Sequence, residues 1–103
     1  MTTAFEDVFG HRLRLDAAHR QHLLVEHPEV RPYLGRVSEV VRAPEWVKRS
    51  RRDPTVYLYY RFYADILGGK YLLVVAKVGP RPAILTCYVT DTVKHGEILW
   101  PTP

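Results

Sequence analysis

The chain has 103 residues, a formal net charge of +4 at pH 7 and a sequence pI of about 9.4. That length predicts one domain over residues 1–103 with a single modest core. No apolar run approaches the roughly 20 residues needed to span a bilayer, so a membrane protein is not expected. The N-terminus lacks the basic and apolar regions of a signal peptide, and the lone cysteine, Cys87, excludes an internal disulfide. These features predict a cytoplasmic protein, and the moderate positive charge is compatible with a polyanionic partner.

The N-terminal part of the chain carries the signals of a hairpin followed by two helices. Residues 6–15 predict a small β-hairpin or bent strand. Asp16 is a good N-cap for a helix that ends at His27, because the following proline disfavours helical geometry in the residue before it. A second helix is predicted to begin near Pro32 and to end before Pro44, with its apolar stripe facing the sheet.

The rest of the chain is rich in residues that favour strands and predicts an antiparallel sheet. Residues 45–50 form a basic candidate edge strand. Residues 55–63, 70–78 and 83–92 are three strand-like runs with short connections, which force antiparallel neighbours. The tail at residues 98–100 predicts a short strand or clasp. The expected fold is therefore α+β, with an N-terminal β-hairpin and two helices packed on one face of an antiparallel sheet of three to five strands.

Strict alternation divides the three central strands into two faces. One face is almost purely apolar and is expected to lie under the helices: Val56, Leu58, Tyr60, Phe62, Leu72, Val74, Ala76, Val78, Ala83, Leu85, Cys87 and Val89. The other is expected to be open and carries most of the tyrosines and two cations: Tyr57, Tyr59, Arg61, Tyr63, Tyr71, Leu73, Val75, Lys77, Ile84, Thr86, Tyr88 and Thr90. This second face has two interpretations. It is either an exposed surface that uses tyrosine because tyrosine suits strands, or a working surface of stacking rings, hydroxyl donors and cations.

Three of the five histidines lie in or at the end of the first predicted helix, at His19, His22 and His27. Imidazole titrates near neutrality and either donates or accepts a proton, which suits acid–base catalysis. His19, His22 and Glu26 share a helical face, which raises a metal-site hypothesis. Their spacing matches no recognised metal signature and no downstream Cys/His pair completes it, so neither a metal nor another cofactor is predicted. Structural or surface roles for each histidine are the alternative.

Five stretches of the chain resemble one known protein family. They are HLLVEHPE at residues 22–29, RRDPTVYLYYRF at 51–62, KYLLVVAK at 70–77, TCYVTD at 86–91 and KHGEILW at 94–100. Together they are similar to a family of small bacterial and phage proteins in the barnase–EndoU–colicin–RelE-like nuclease superfamily. The resemblance implies two helices before an antiparallel sheet, as in RelE- and barnase-like folds. For function it implies metal-independent RNA cleavage, often as a toxin. Cys87 departs from the small residue expected at its position.

Metal-free RNA cleavage needs a base near the attacking 2′-hydroxyl, an acid at the leaving 5′-oxygen, and cations or donors on the phosphate. The candidate catalytic residues supply imidazoles, phosphate-binding cations and a hydroxyl donor: His22, His27, Arg51, Arg61, Lys77 and Thr90. The candidate RNA-binding residues supply further cations, stacking rings and hydroxyls: Arg49, Arg52, Tyr57, Tyr59, Tyr60, Tyr88 and Thr86. Tyr60 is included because it lies in the YYR motif, although alternation places it on the covered face.

Two function hypotheses follow. In the first, the protein is a toxin-like RNA endonuclease, with RNA as its substrate and an antitoxin or immunity protein as a further partner. In the second, it is a non-catalytic module that binds RNA or a protein through the same basic, tyrosine-rich face. A catalyst must bring a histidine close to the basic face, whereas a binding module need not. The position of His22 or His27 relative to Lys77 and Arg61 therefore discriminates between the two.

Overall fold

Seven β-strands, two α-helices and one 3₁₀ helix make up residues 2–102, the part of the chain that the computed structural model describes. The strands are β1 (Thr2–Glu6), β2 (Arg12–Asp16), β3 (Trp46–Arg49), β4 (Val56–Tyr63), β5 (Lys70–Lys77), β6 (Ala83–Thr90) and β7 (Ile98–Trp100). The helices are α1 (Ala17–Glu26) and α2 (Val37–Arg42), with the 3₁₀ helix (Pro28–Arg36) between them. One sheet contains all seven strands in the order β1-β2-β6-β5-β4-β3-β7. The predicted α+β class is confirmed, but the sheet has more strands than the three to five expected.

The sheet is mixed rather than antiparallel, because β2 pairs with β6 in parallel. This contact is a single pair, Arg14 with Ala83, whereas β1 and β2 pair along the whole of both strands. The N-terminal hairpin differs from the predicted one, since it begins at Thr2, turns through residues 7–11 and joins the rest of the sheet at one point. The inward-facing leucines of β2 are buried in the core, which holds the hairpin in place.

The helices follow the local signals of the sequence in part. The N-cap predicted at Asp16 is confirmed, since its side chain accepts a hydrogen bond from the His19 backbone N–H at 2.7 Å. The second predicted helix is wrong in its first half, where the chain is a 3₁₀ helix and becomes α-helical only from Val37. Pro32 offers no backbone N–H and Gly35 has low helix propensity, which accounts for the difference. Apolar side chains from all three helices pack with one face of the sheet into the main core.

The three central strands are confirmed as an antiparallel meander, but the predicted faces are wrong for β4. The register places Tyr59 opposite Val74 and Arg61 opposite Leu72, and directly opposed residues share a face. The β4 residues on the helix side are therefore Tyr57, Tyr59, Arg61 and Tyr63, and those on the other side are Val56, Leu58, Tyr60 and Phe62. Both sets contain large apolar or aromatic side chains, so alternation within β4 does not show which set faces the helices.

A bulge changes the faces of β6 as well. Thr86 pairs with Val75 and Ile84 pairs with Ala76, so Leu85 is an extra residue on β6. Because the bulge reverses the alternation before it, Ile84 is buried on the helix side and Leu85 is 39% exposed. The sequence prediction had these two residues the other way round.

The side of the sheet away from the helices, called the helix-free face below, has a small core of its own, formed by Leu58, Tyr60 and Leu73. The chain passes from β6 to β7 on the far side of β3, and residues 91–97, the crossing segment, make this connection. Val93 packs against the small core, and the Lys94 backbone N–H donates to the Tyr60 hydroxyl at 3.1 Å. The face that was predicted to be open is therefore partly covered.

Candidate functional site

A row of side chains crosses the helix-free face from β3 to β6 and ends at a histidine. Trp46 lies opposite Tyr60, which lies opposite Leu73 on β5. Leu73 in turn lies opposite Tyr88 on β6. The His27 ring stacks on Tyr88, with ring centroids 5.2 Å apart and planes inclined by 25°. The row therefore places aromatic rings from three strands and one imidazole on a single surface.

His27 is positioned by the backbone at a junction between helices. Its N–H donates to the Leu23 carbonyl at 2.8 Å, which completes the last turn of α1. Its carbonyl accepts from the Val30 N–H at 3.1 Å, in the first turn of the 3₁₀ helix. Pro28 ends the α-helix at this point because the residue before a proline avoids helical geometry. The His-Pro sequence thus determines where the imidazole leaves the helix.

The helix α1 lies along the edge of β6, at the rim of the helix-free face. Beyond its single pair with β2, β6 has no strand neighbour on that side among residues 2–102. The helix lies along this edge, where His19 Nε2–H donates to the Leu85 carbonyl at 2.6 Å. Further along the same edge, His27 reaches Tyr88. A helix instead of a strand therefore covers this stretch of β6, and it carries an imidazole with it.

The His27 ring has one acidic neighbour. Glu29 Oε2 lies 3.6 Å from His27 Nδ1, and the ring forms no hydrogen bond within residues 2–102. Both residues belong to the HPE tripeptide, in which the turn at Pro28 brings the carboxylate back beside the ring. The His27 side chain is 32% exposed. The ring is therefore partly accessible to a bound ligand, and imidazole is a side chain suited to proton transfer.

We call His27, Tyr88 and Thr90 the His27 site. Thr90 lies two residues beyond Tyr88 on the same face of β6, and Tyr71 lies opposite it on β5. A cavity of about 410 Å³ opens at this end of the sheet, lined by Glu29, Leu67, Lys70, Val89, Thr90 and Asp91. The site thus offers an imidazole for proton transfer, rings for stacking and a hydroxyl donor, with a lysine in the neighbouring cavity.

Tyr57, Tyr59 and Arg49, all predicted to bind RNA, lie on the helix side of the sheet. Tyr59 is fully buried, so its ring is not accessible for stacking on a base. Arg49 lies 5.6 Å from the half-buried ring of Tyr57. Its guanidinium group also donates to Glu97 at 3.0 Å and to the Pro54 carbonyl at 2.7 Å. All three side chains are therefore engaged within the protein.

The predicted catalytic cations do not converge on the His27 site. Arg61 lies on the helix side, where its Nη1 donates to the Ala43 carbonyl at 2.6 Å. Lys77 does lie on the helix-free face and is exposed. It is four residues along β5 from Leu73, the residue opposite Tyr88, which corresponds to about 13 Å along the strand. Neither of these two predicted phosphate-binding cations therefore lies at the His27 site.

Three further candidates are surface residues. His22 is exposed on α1, with its Nε2 atom 3.4 Å from Glu26. Arg51 and Arg52 are exposed in the loop between β3 and β4. None of these three shares a contact with the His27 site in the described part of the chain.

The helix-free face does bring together six of the predicted residues: His27, Tyr60, Lys77, Thr86, Tyr88 and Thr90. Two of these six residues are less accessible to a ligand than the other four. Tyr60 is fully buried beneath the crossing segment, and the Thr86 Oγ1 atom is buried without a hydrogen-bond partner in residues 2–102. Burial raises the pKa of Tyr60, against the opposing effect of the Lys94 N–H, so its phenol stays neutral.

Sequence reasoning missed a buried polar network beneath the hairpin turn. Asp7 is 3% exposed, and its Oδ1 accepts the backbone N–H groups of Phe9 and His11 at 3.0 and 2.7 Å. Its Oδ2 lies 2.8 Å from His11 Nδ1 and accepts the Tyr59 hydroxyl. An Asp and a His four residues apart in a predicted turn is the only local signal for this network. Tyr59 is 52 residues away from Asp7, and no local pattern indicates that contact.

The metal-site hypothesis has no geometric support in residues 2–102. The His19 ring is turned to the Leu85 carbonyl and the His22 ring to Glu26. In the described range no group of three or more His, Cys, Asp or Glu side chains is arranged to hold a metal ion. Nor does that range contain a helix both long enough and apolar enough to cross a bilayer.

No protein-family model, no curated protein and no solved structure matches the chain. The nuclease resemblance therefore stays a prediction from the motifs. The toxin role, the RNA and antitoxin partners and the cytoplasmic location are predictions of the same kind.

Proposed function

We propose that the protein is an endoribonuclease that cleaves single-stranded RNA without a metal, with its active site at the His27 site. The observation that carries the proposal is the His27 imidazole stacked on Tyr88 at the rim of the helix-free face. His22, the other candidate, is exposed on α1 beside Glu26 and away from that face. The geometry therefore favours His27 as the group that transfers the proton.

In this reaction the ribose 2′-hydroxyl attacks the neighbouring phosphorus. A bond from the 2′-oxygen to phosphorus forms and the bond to the 5′-oxygen breaks, which leaves a 2′,3′-cyclic phosphate and a 5′-hydroxyl. His27 accepts the proton of the 2′-hydroxyl, and its imidazolium returns a proton to the leaving 5′-oxygen. Thr90 donates to a phosphate oxygen, and Tyr88 and Tyr71 offer faces for the bases.

Incubation with single-stranded RNA in EDTA tests the proposal. We expect the wild-type protein to give products that end in a 2′,3′-cyclic phosphate. His27→Ala is expected to lower the cleavage rate by about 10²–10⁴-fold, the usual effect of losing a proton-transfer group. His22→Ala removes an exposed imidazole from the same helix and is expected to have little effect. Urea unfolding of both variants controls for loss of structure.

Two results would contradict the proposal. One is the absence of products from the wild-type protein in EDTA. The other is equal loss of cleavage in the His22 and His27 variants, which would separate the activity from the stacked imidazole.

A second candidate function is non-catalytic binding of RNA on the same face. It is favoured by the separation of Lys77 from Tyr88 and by the engagement of Arg61 on the helix side. In this case RNA affinity falls steeply with salt and no products form. Binding of a partner that ignores salt would indicate a protein ligand instead.

A further inference from the structure

A cleft lies where β2 and β6 separate. The two strands meet only at Arg14 and Ala83, where the Arg14 N–H donates to the Pro82 carbonyl at 3.1 Å. Two adjoining cavities, of about 390 Å³ and about 480 Å³, flank this junction. Both are lined by Thr2, Arg14, Arg81 and Pro82. We call the pair of cavities the Arg14–Arg81 cleft.

The cleft is lined by arginines that have no partner in residues 2–102. Arg14 and Arg81 line both cavities, and Arg12 lines one of them. All three are exposed and none forms an ion pair or a side-chain hydrogen bond in that range. By contrast, three other guanidinium groups each contact a carboxylate: Arg36, Arg49 and Arg61.

The acids nearby do not neutralise the cleft. Asp16 lines one of the cavities and caps the start of α1, and its carboxylate keeps its negative charge, so it offsets part of the positive charge. Glu6 lies opposite Arg12 across the hairpin and offsets that cation. Arg14 lies opposite an alanine and has no such neighbour. Three arginines against these two carboxylates leave the cleft with a net positive charge, and Arg14 and Arg81 line both of its cavities.

We propose that the Arg14–Arg81 cleft binds backbone phosphates of the RNA strand, an inference that rests on the function proposed above. Guanidinium groups form paired hydrogen bonds with phosphate oxygens, and the separation of the strands provides a recess for them. Along α1, His19 in the cleft and His27 are about 12 Å apart at about 1.5 Å per residue. A strand that contacts both regions is therefore longer than a dinucleotide, and the phosphates in the cleft are not the one that is cleaved.

A long single-stranded RNA with 2′-O-methyl groups cannot be cleaved by 2′-hydroxyl attack, so its binding isolates the cleft from the chemistry. We expect the double variant Arg14→Gln/Arg81→Gln to bind this RNA about tenfold more weakly at about 0.1 M salt. The slope of log affinity against log salt should fall by about 1.4, the value for two lost phosphate contacts on a single strand. The matched control Arg31→Gln/Arg42→Gln removes the same charge from two exposed arginines elsewhere and is expected to change affinity by less than about twofold.

Equal weakening by both double variants would show general electrostatic attraction and overturn the assignment of the cleft. Unchanged RNA affinity together with tight, Arg14-dependent binding of inorganic pyrophosphate would overturn it as well, in favour of a small phosphate ligand. The cleavage assay with His27→Ala separates this proposal from the previous one. If RNA affinity depends on Arg14 and Arg81 but no RNA is cleaved, the cleft proposal is supported and the nuclease proposal is overturned. If RNA is cleaved but its affinity does not depend on these two arginines, the nuclease proposal is supported and the cleft proposal is overturned.

Discussion

Asp7 places a carboxyl group within the protein interior, where a polar group without partners is costly. Four donors surround it: two backbone N–H groups of the hairpin turn, the His11 ring and the Tyr59 hydroxyl. The first three are local to the turn. The fourth comes from β4, so the Tyr59 hydroxyl is the polar link between the N-terminal hairpin and the centre of the sheet.

Tyr59→Phe removes this one donor and leaves the ring in place. We expect the free energy of unfolding to fall by about 1–3 kcal/mol, the usual cost of leaving a buried acceptor short of a partner. Urea unfolding at neutral pH measures the change. Tyr57→Phe is the matched control, because the half-buried Tyr57 hydroxyl forms no hydrogen bond in residues 2–102, and its cost should stay below about 0.5 kcal/mol. Equal costs for the two variants would contradict the role of the Asp7 contact.

Buried ionisable groups, among them Cys87 and Tyr59, also predict a loss of stability at alkaline pH. Burial raises the pKa of Cys87 from 9.0 to about 12. Burial, and then the hydrogen bond to Asp7, hold the pKa of Tyr59 far above its ordinary value of 10.0. In alkali the folded chain keeps both protons, whereas the unfolded chain loses them. The contribution of these two groups to the free energy of unfolding is therefore fully present below about pH 9. Above that pH it falls, by up to about 1.4 kcal/mol per pH unit for each group.

Urea unfolding at a series of pH values from about 8 to about 11 checks the sign and the contribution of each residue. The decline above about pH 10 should be shallower in Tyr59→Phe than in the wild-type protein, because that variant has no phenol to ionise there. A stability that rises with pH over this range, or a variant curve parallel to the wild-type curve, would count against the assignment.

At the scale of elements, the crossing segment depends on a close approach to β3. A Cβ atom on Gly96 would lie 2.8 Å from the Arg49 carbonyl oxygen, a backbone atom that cannot move aside alone. The next residue, Glu97, accepts the Arg49 N–H at 3.0 Å and starts the pairing of β7 with β3. Gly96 therefore lets residues 91–97 end in register with the sheet.

Gly96→Ala is expected to lower the free energy of unfolding by about 1–3 kcal/mol, because the added methyl group forces the segment away from β3. Gly35→Ala is the matched control, since a Cβ at that position would meet no atom within 4 Å beyond its chain neighbours and the backbone of its own helix. In its helical setting the control should be neutral or more stable by up to about 1 kcal/mol. Urea unfolding compares the two variants, and a Gly96 variant as stable as the wild-type protein would show that the segment tolerates the displacement.

Local signals predicted which elements form but not how they join. The turn residues around the central strands, the N-cap at Asp16 and the helix end before Pro28 all act within a few residues, and the structure follows them. The single pair between β2 and β6 and the position of β7 beside β3 depend on contacts between distant residues. No periodicity in the sequence carries that information.

At the scale of the whole molecule, the candidate site depended on which side of β4 faces the helices. Both sides of this strand are covered, one by the main core and the other by the smaller core beneath the crossing segment. An alternating pattern distinguishes a buried face from a solvated one. When both faces are buried, the pattern does not show which of them lies under the helices. The prediction that the first helix ends at His27 used only the local effect of Pro28, and the structure follows it.

The same topology predicts unequal stability across the fold. β5 is paired along its length on both sides, whereas the hairpin of β1 and β2 joins the sheet at one residue pair. The hairpin is otherwise held by core packing, by the Tyr59–Asp7 contact and by the Val8 N–H, which donates to the Val41 carbonyl of α2 at 2.9 Å. We expect amide hydrogen exchange to be slowest in β5 and faster in the hairpin, which opens as a unit.

Tyr59→Phe tests whether the hairpin opens on its own. Loss of about 1–3 kcal/mol from the hairpin contact should speed exchange of the Leu13 and Leu15 amides by about 5–150-fold. The Leu72 and Val74 amides of β5 should change less, because their exchange does not require the hairpin to leave the sheet. Equal acceleration in both strands would mean that the fold opens only as a whole.

Arg12 and Arg14 lie on the hairpin. Independent opening would therefore also make the Arg14–Arg81 cleft the most readily widened part of the molecule.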